Sequence, residues 1–491
     1  MEAFSIMNRL EDFKKKIAEA KIAVLGLGIS NVPLIRFLYN SGARNITAYD
    51  KFASAQVLNN IETLKNEGMI NRAITGEDYL EGIPSENYDI IFKSPIIRPD
   101  VAPLVKAVEQ GSVLTSEMEL FFELCPCKTY GITGSDGKTT TTTLTHKLLS
   151  AHYEGTESKV WLGGNIGRPL IDILPEIKAE DAAVLELSSF QLMTMKKSPD
   201  VSVITNITPN HLDVHKDYEE YIEAKKKIFK HQNDDGVVVL NAKNDVTAGI
   251  SLQCIADGKK VRLFSVAKCG VEDFEKGANG YGYMKDGKLE YAAASANGFE
   301  IKFSIARSEL KVPGNFNGEN LLTAIAACAD VIEPADIEKV TQEFRGVPHR
   351  CELIRELDGV KYYNSSIDSS PNRTIQTLSV FEGNVVMIAG GKDKNIPYDA
   401  IGPVICEKVK VLILIGPTAE KIETAVKNCD KFNEKNIKIF HFNNYKDAVQ
   451  CAHDNSVSGD CVLLSSASTS FDLFKNFEER GKVFKELVLG L

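Results

Sequence analysis

GITGSDGKTTTTTLTHKLL, Gly131 to Leu149, is the stretch from which the rest of the chain is read. An apolar, extended approach, TYGIT, enters a glycine-containing turn and leaves as a helix. Gly134 and Gly137 let backbone N–H groups approach phosphate oxygens, with Ser135 and Asp136 between them. Lys138 has the reach for β- and γ-phosphates. Thr139, followed by Thr140, places a hydroxyl that can ligate Mg2+ at the positive end of the helix. The motif is the short form G-x-x-G-K-T, because Ile132 stands where G-x-x-x-x-G-K-[ST] has its first glycine. At ordinary glycine usage the short form arises by chance in roughly one chain in fifty of this length. The strand-turn-helix setting favours a nucleotide-phosphate cradle over a structural turn with a solvated lysine.

Upstream, KIAVLGLG at Lys21 to Gly28 predicts a buried strand running into a glycine turn, and Val32 to Tyr39 is apolar at helical spacing. Asp50 ends the next strand, NITAYD, where a dinucleotide-binding unit has its ribose acid. Asn31 occupies the third glycine of G-x-G-x-x-G, so the fingerprint is incomplete and a different nucleotide diphosphate, or a purely structural turn, fits as well. Tyr88 to Phe92 is another strand, followed by the Ser94-Pro95 turn. Downstream, KVWLGGNIG and DAAVLELSSFQL are strands with polar ends, which aims Asn165 and Glu186 at the crevice of Lys138. An acid inside V-L-E-L needs a partner, either a metal-bound nucleotide or water at the strand end. VSVITNI leads to TPNHLDVH, where His211 follows a strand end and Asp213 and His215 are secondary candidates. Tyr218 to Lys230 reads as an amphipathic helix with a solvated basic face, on which Lys225 has no distinction. Gly236 to Val312 reads as short strands with Asp-Gly and Asn-Gly turns, and helices are expected at Asn317 to Ile332 and Ile337 to Phe344. From Val347 strands and helices alternate again, with GGKDK and SSASTS following strands.

The chain has 491 residues, 43% of them hydrophobic and 25% charged, with 17 prolines. This describes a globular α/β protein of more than one core, and three domains are expected. A formal net charge of −10 argues against a nucleic-acid or anionic-membrane surface. With no signal-peptide or membrane-spanning run, the cytoplasm is the expected compartment and no membrane insertion is expected. The ten cysteines lack C-x-x-C pairs, so reduced, mostly buried thiols are expected.

In order, GITGSDGKTT, GGNIG, LELSSFQL, NITPNHLD, YIEAK, GNFNGEN and GVPHRCE resemble the motif series of the Mur ligases. The GLG-type start and the closing SASTSFDLFKNFEERG are most similar to those members that join D-glutamate to UDP-N-acetylmuramoyl-L-alanine. The resemblance covers essentially the full length. It implies three domains: a Rossmann-like UDP-substrate domain over 1–116, a P-loop ATPase α/β domain with a β-rich flank over 117–346, and a Rossmann-like amino-acid domain over 347–491. It also implies a monomer and ATP-dependent amide ligation through an acyl phosphate, in the supply of peptidoglycan precursors. Lys138, His211 and Lys225 would be catalytic. Two Mg2+ ions would be held by Thr139 and Glu186 on one side and His211 on the other. Lys225 matches the family's carbamylated lysine. ATP would meet Gly134 to Thr140, Asn317, Asn320 and Arg350. Asn165 would touch the muramoyl substrate, Ile29, Ser30 and Lys51 its uridine nucleotide, and Lys394, Ser470 and Phe477 D-glutamate.

Two departures from the family pattern stand out. Phe316 replaces a histidine in GNFNGEN, and NSSIDSS at Asn364 to Ser370 puts Ile367 at a lysine and Ser365 at an aspartate. Asp368 is then expected either to meet the ATP ribose or to orient the third domain, with Lys394 carrying more of the amino-acid recognition. Two other readings compete. A folylpolyglutamate synthetase shares the ATPase core but not the N-terminal GLG segment, and a nucleotide-gated binding protein would use ATP without ligation.

Overall fold

The computed structural model describes residues 2–209, 214–393, 396–433 and 436–491, apart from the side chains of residues 2–8. His211, Asp213 and Lys394, all singled out above, lie outside the described residues. The strands form three sheets. The first contains β1 (Lys21–Leu25), β2 (Asn45–Asp50), β3 (Arg72–Thr75), β4 (Ile90–Lys93) and β5 (Val113–Thr115), all parallel in the order β3-β2-β1-β4-β5. The strand order reverses between β1 and β4, so their carboxyl ends open a crevice there. IAVL, Ile22 to Leu25, is a continuous apolar run because a parallel sheet covered on both faces buries each of these residues. The following helix, Asn31–Asn40, buries Leu34, Ile35, Phe37 and Leu38 against it.

The turn between β1 and this helix explains the incomplete fingerprint. Gly26 takes φ 89°, and a Cβ there would lie 2.9 Å from Ser94 Cβ. In place of a third glycine, Asn31 is buried and its Nδ2 donates to the carbonyl oxygens of Leu25 (2.9 Å) and Gly26 (3.0 Å). Asp50 does not present a free carboxylate for a ribose, because its Oδ2 accepts from the Leu27 N–H at 2.7 Å and its Oδ1 from the Phe52 N–H at 2.9 Å. The acid holds the turn in shape.

The second sheet contains β6 (Lys128–Thr133), β7 (Val160–Gly164), β8 (Ala182–Glu186), β9 (Val201–Ile204), β10 (Val237–Asn241), β11 (Lys260–Ser265), β12 (Gly280–Lys285), β13 (Lys288–Ser295) and β14 (Gly298–Ala306). Its order is β14-β13-β12-β11-β10-β9-β6-β8-β7, parallel from β7 to β12 and closed by the antiparallel β12-β13-β14 meander. The reversal falls at β6, so the turn after TYGIT sits between the ends of β8 and β9. The expected all-strand flank is interrupted by a helix, Asp245–Ala256, capped by Asn244. Its buried face, Thr247, Ile250, Ser251 and Cys254, is half hydroxyl-bearing, which diluted the apolar periodicity by which a helix is read.

The third sheet contains β15 (Glu352–Leu357), β16 (Val360–Asn364), β17 (Val385–Ala389), β18 (Val409–Ile415), β19 (Lys438–Phe442) and β20 (Cys461–Leu464), in the order β15-β16-β20-β17-β18-β19. It is parallel except for the β15-β16 hairpin. The chain resolves into two compact units. One spans Met1–Arg307 and Glu319–Val340 and holds the first two sheets. The other spans Ser308–Gly318 and Thr341–Leu491 and holds the third. The cysteines are free, but only Cys125, Cys127, Cys254 and Cys328 are buried. Five others are half-buried and Cys269 is exposed, because several lie on helix flanks rather than in strands. Among the described residues no helix is long and apolar enough to cross a membrane.

Candidate functional site

The turn after β6 is built to keep its backbone in contact with β9. Gly134 takes φ 151°, and a Cβ there would overlap the Thr205 side chain. The neighbours Thr205 and Asn206 hold the loop. The Ser135 N–H donates to Asn206 O (2.9 Å), the Asp136 N–H to Asn206 Oδ1 (2.9 Å), and Thr205 Oγ1 to Asp136 O (2.6 Å). Ser135 Oγ also lies 3.0 Å from the Tyr221 hydroxyl, tying the loop to the helix Tyr218–Lys230. Gly137, at φ 77°, is the N-cap of the helix Lys138–His152 and provides no capping side chain. The first-turn N–H groups therefore stay directed out of the helix end, the arrangement that receives phosphate oxygens. Thr139 is half-buried in that first turn and Thr140 is buried. Asn320 closes the other side: a Cβ on Gly137 would lie 2.5 Å from its Oδ1, which also accepts from Thr141 Oγ1 at 3.3 Å.

Lys138 and Lys225 converge on one atom. Lys138 Nζ donates to Gly134 O (2.8 Å) and Ser135 O (2.9 Å), and Lys225 Nζ donates to Gly134 O (2.8 Å) and Thr133 Oγ1 (3.2 Å). The expectation of a solvated basic face is wrong for Lys225. Its side chain is 1% exposed and its ammonium lies 4.7 Å from the Tyr221 ring centre. Burial, then the like charge of Lys138, pushes its pKa well below the ordinary lysine value. A lysine of this kind is a nucleophile for small electrophiles rather than a surface cation.

Glu186, at the end of β8, is likewise not a carboxylate in water. It is 2% exposed, its Oε1 accepts from Asn165 Nδ2 at 2.8 Å, and its Oε2 is buried with no hydrogen-bond partner among the described residues. The Asn165 N–H donates to Glu186 O (2.8 Å), and Gly164, at φ 90°, makes room for this approach because a Cβ would collide with the Glu186 backbone. An orphaned, buried carboxylate oxygen needs a cation to offset its desolvation. The donor set fits Mg2+: the Glu186 carboxylate at the strand end, with the Thr139 hydroxyl on the neighbouring helix.

Of the other residues singled out in the first unit, Ile29 is 78% exposed and Ser30 half-buried in the turn after β1, while Lys51 pairs with Glu77 at 2.9 Å. In the second unit, Asn317 is buried and its Nδ2 donates to Pro313 O (2.6 Å). Arg350 is half-buried in a tight bridge with Val347. Ser470 is buried, and Phe477 begins the helix Phe477–Leu489 with its ring edge-on to His349 at 5.9 Å. Asp368 is expected either to meet the ATP ribose or to orient the third domain. It is buried, its Oδ2 accepts from Ser465 Oγ at 2.7 Å, and burial raises its pKa, so it orders the loops at the end of β20. Ser365 and Ile367 belong to the same internal turn: the Ser365 hydroxyl accepts from the Cys351 N–H (3.2 Å), and the Ile367 N–H donates to His349 O (3.1 Å).

Three residues of consequence were missed. Thr205 and Asn206 directly follow a strand that neighbours β6, a signal that was available in VSVITNI. Arg480 was invisible, because only the fold shows a buried guanidinium donating to Ser366 O (2.8 Å) and Ser468 O (3.0 Å) beneath the SSASTS turn.

Known proteins resemble this chain in sequence and in fold. Residues 132–328 match the Mur ligase middle domain and residues 349–468 the Mur ligase glutamate ligase domain. The UDP-N-acetylmuramoylalanine--D-glutamate ligase of Ruminiclostridium cellulolyticum is 48% identical over 99% of this chain and 99% of its own. That of Acetivibrio thermocellus is 48% identical over 98% of each. Among solved structures, the MurF ligase of Thermotoga maritima in complex with ADP superposes with a TM-score of 0.52 over 97% of both chains at 17% identity, a likeness of fold.

Proposed function

Because the chain belongs to the Mur ligase family, we propose that it is the ligase that forms the amide bond between D-glutamate and UDP-N-acetylmuramoyl-L-alanine at the expense of ATP. The observation that carries the reading is the meeting of Lys138, Lys225 and the orphaned Glu186 carboxylate at the end of the second sheet, in a chain 48% identical over its full length to ligases of that name. Family members use ATP with Mg2+. The substrate carboxylate attacks the γ-phosphorus and ADP leaves with the electron pair. The D-glutamate amine then adds to the acyl phosphate and loses a proton, and inorganic phosphate departs as the amide forms.

An anionic nucleophile approaching an anionic phosphate needs charge offset and alignment. The Gly134–Gly137 backbone and the helix N-terminus receive phosphate oxygens, and Lys138 offsets the β/γ charge. Thr139 and Glu186 would hold one Mg2+ ion and His211 a second, and these ions would supply further charge neutralisation. Lys225 in its neutral form can add CO2, and the carbamate so formed is an oxygen ligand rather than a repelling cation. Asn165 keeps Glu186 oriented and faces the muramoyl substrate. In this reading the chain has three domains, over 1–116, 117–346 and 347–491. The first binds the uridine nucleotide through Ile29, Ser30 and Lys51, and the third binds D-glutamate through Lys394, Ser470 and Phe477.

Incubation with UDP-N-acetylmuramoyl-L-alanine, ATP, Mg2+ and a mixture of D-amino acids tests this by product mass. A single adduct carrying one glutamate is expected. An adduct with another amino acid, or none, overturns the assignment.

A further inference from the structure

Arg98 lies on the segment that leaves β4, beyond the Ser94-Pro95 turn, and plays no part in the chemistry above. All five of its N–H donors are used. Nε and one Nη2 hydrogen bind Asp100 (2.9 and 3.0 Å). The remaining Nη2 hydrogen and one on Nη1 grip the Glu220 carboxylate (2.7 and 3.1 Å). The last Nη1 hydrogen donates to Val214 O at 2.6 Å. Glu220 belongs to the first turn of the helix Tyr218–Lys230, which carries Lys225. Its carboxylate also accepts from the Lys216 N–H (2.8 Å) and lies 3.4 Å from His215 Nδ1. His215 is buried, stacks on Phe190 and meets Ser189 Oγ through Nε2 at 2.9 Å, three residues beyond Glu186. On its other side, the Arg98 segment starts at Ser94, whose N–H donates to Leu25 O (2.9 Å) and whose Cβ sits against Gly26.

One side chain therefore joins the walls of the first-sheet crevice to the helix that presents Lys225 and, through His215, to the strand end that presents Glu186. We propose that Arg98 is a positioning residue that couples occupancy of the first-sheet crevice by the nucleotide substrate to the placement of the helix Tyr218–Lys230 beside the phosphate loop. This rests on the functional reading above, which puts the UDP substrate in that crevice. A bidentate fork is the reason for arginine here. Lysine would keep the charge, yet its compact ammonium cannot serve Asp100, Glu220 and Val214 in one plane.

Hydrogen exchange of residues 216–230 in the full-length protein, with and without UDP-N-acetylmuramoyl-L-alanine, tests the coupling. In the wild type, saturating substrate should slow exchange of this helix by ~10-fold, within the usual range for coupled sites. In Arg98→Lys and Arg98→Ala the substrate should still bind, the slowing should shrink to less than ~2-fold, and kcat should fall ~10-fold with the KM for ATP unchanged. A merely structural arginine would lower Tm while leaving the substrate-induced slowing intact. Should the alanine variant not fold, the lysine variant carries the comparison. Wild-type slowing retained in the variants overturns this inference alone. A wild-type protein that does not bind the compound removes the functional reading and the inference with it.

Discussion

Lys138 and Lys225 share the Gly134 carbonyl, but their surroundings make them chemically different. Lys138 is half-buried at the mouth of the loop and keeps the role of a charge clamp. Its truncation leaves the loop backbone held by Thr205 and Asn206, so Lys138→Ala should fold normally and lose at least ~10²-fold in kcat, the scale for removing one preorganised charge-stabilising group. Steady-state kinetics beside a thermal melt check this, and near-normal turnover would sink the cradle reading. Lys225 is enclosed, and its amine is biased toward the neutral form that CO2 requires. Lys225→Ala should be nearly inactive and regain part of its activity when acetate or formate is added, since a small carboxylate can take the place of a carbamate. Full activity without any response to carboxylate would reduce Lys225 to a packing residue.

At the scale of the element, the helix Glu117–Leu124 shows that burial can set a pH dependence of stability. Its apolar face, Met118, Leu120, Phe121 and Leu124, is buried and carries Glu117 into the interior with it. Glu117 Oε1 has no hydrogen-bond partner among the described residues, and burial, reinforced by the nearby Asp172 carboxylate, pushes its pKa from 4.5 up to about 8. The folded chain therefore holds a proton that the unfolded chain has released between those values. Stability from this group is fully present below pH ~4.5 and is lost as pH rises through ~8. Glu117→Gln, neutral at every pH, should flatten this fall and stabilise the protein at pH 8 by an amount on the order of a few kcal/mol. Melting curves from pH 5 to 8 decide it. An unchanged slope in the variant would place the Glu117 carboxyl in contact with water.

For the molecule as a whole, ligation requires that ATP not be spent before both other substrates are in place. Phosphate release should be at background with ATP alone or with ATP and D-glutamate, and should reach full rate only with UDP-N-acetylmuramoyl-L-alanine and D-glutamate together. Rapid hydrolysis without the two would favour the nucleotide-gated binding protein instead. Much of this was legible in the linear sequence, for a physical reason. A parallel strand buried on both faces is a continuous apolar run, as in IAVL and VVMIA. A backbone turned to φ > 0 beside a phosphate needs glycine, as at Gly134 and Gly137. Both are local properties that local sequence must encode. The ordered motifs added the family. Roles decided by distant neighbours were not legible in this way. Lys225 lies in a charge run that reads as solvent-facing, and only the packing of its helix against the phosphate loop strips it of water. Asp50 resembles a ribose acid until the fold brings the Leu27 N–H to it, and the burial of Asp368 beside Ser465 is likewise set by the fold. Arg98 carries no motif, because its meaning lies in Glu220 and Val214, more than a hundred residues away. Chain-local geometry was therefore written in the sequence, whereas desolvation and the choice of hydrogen-bond partner, which depend on what folds back against each side chain, were decided by the tertiary structure alone.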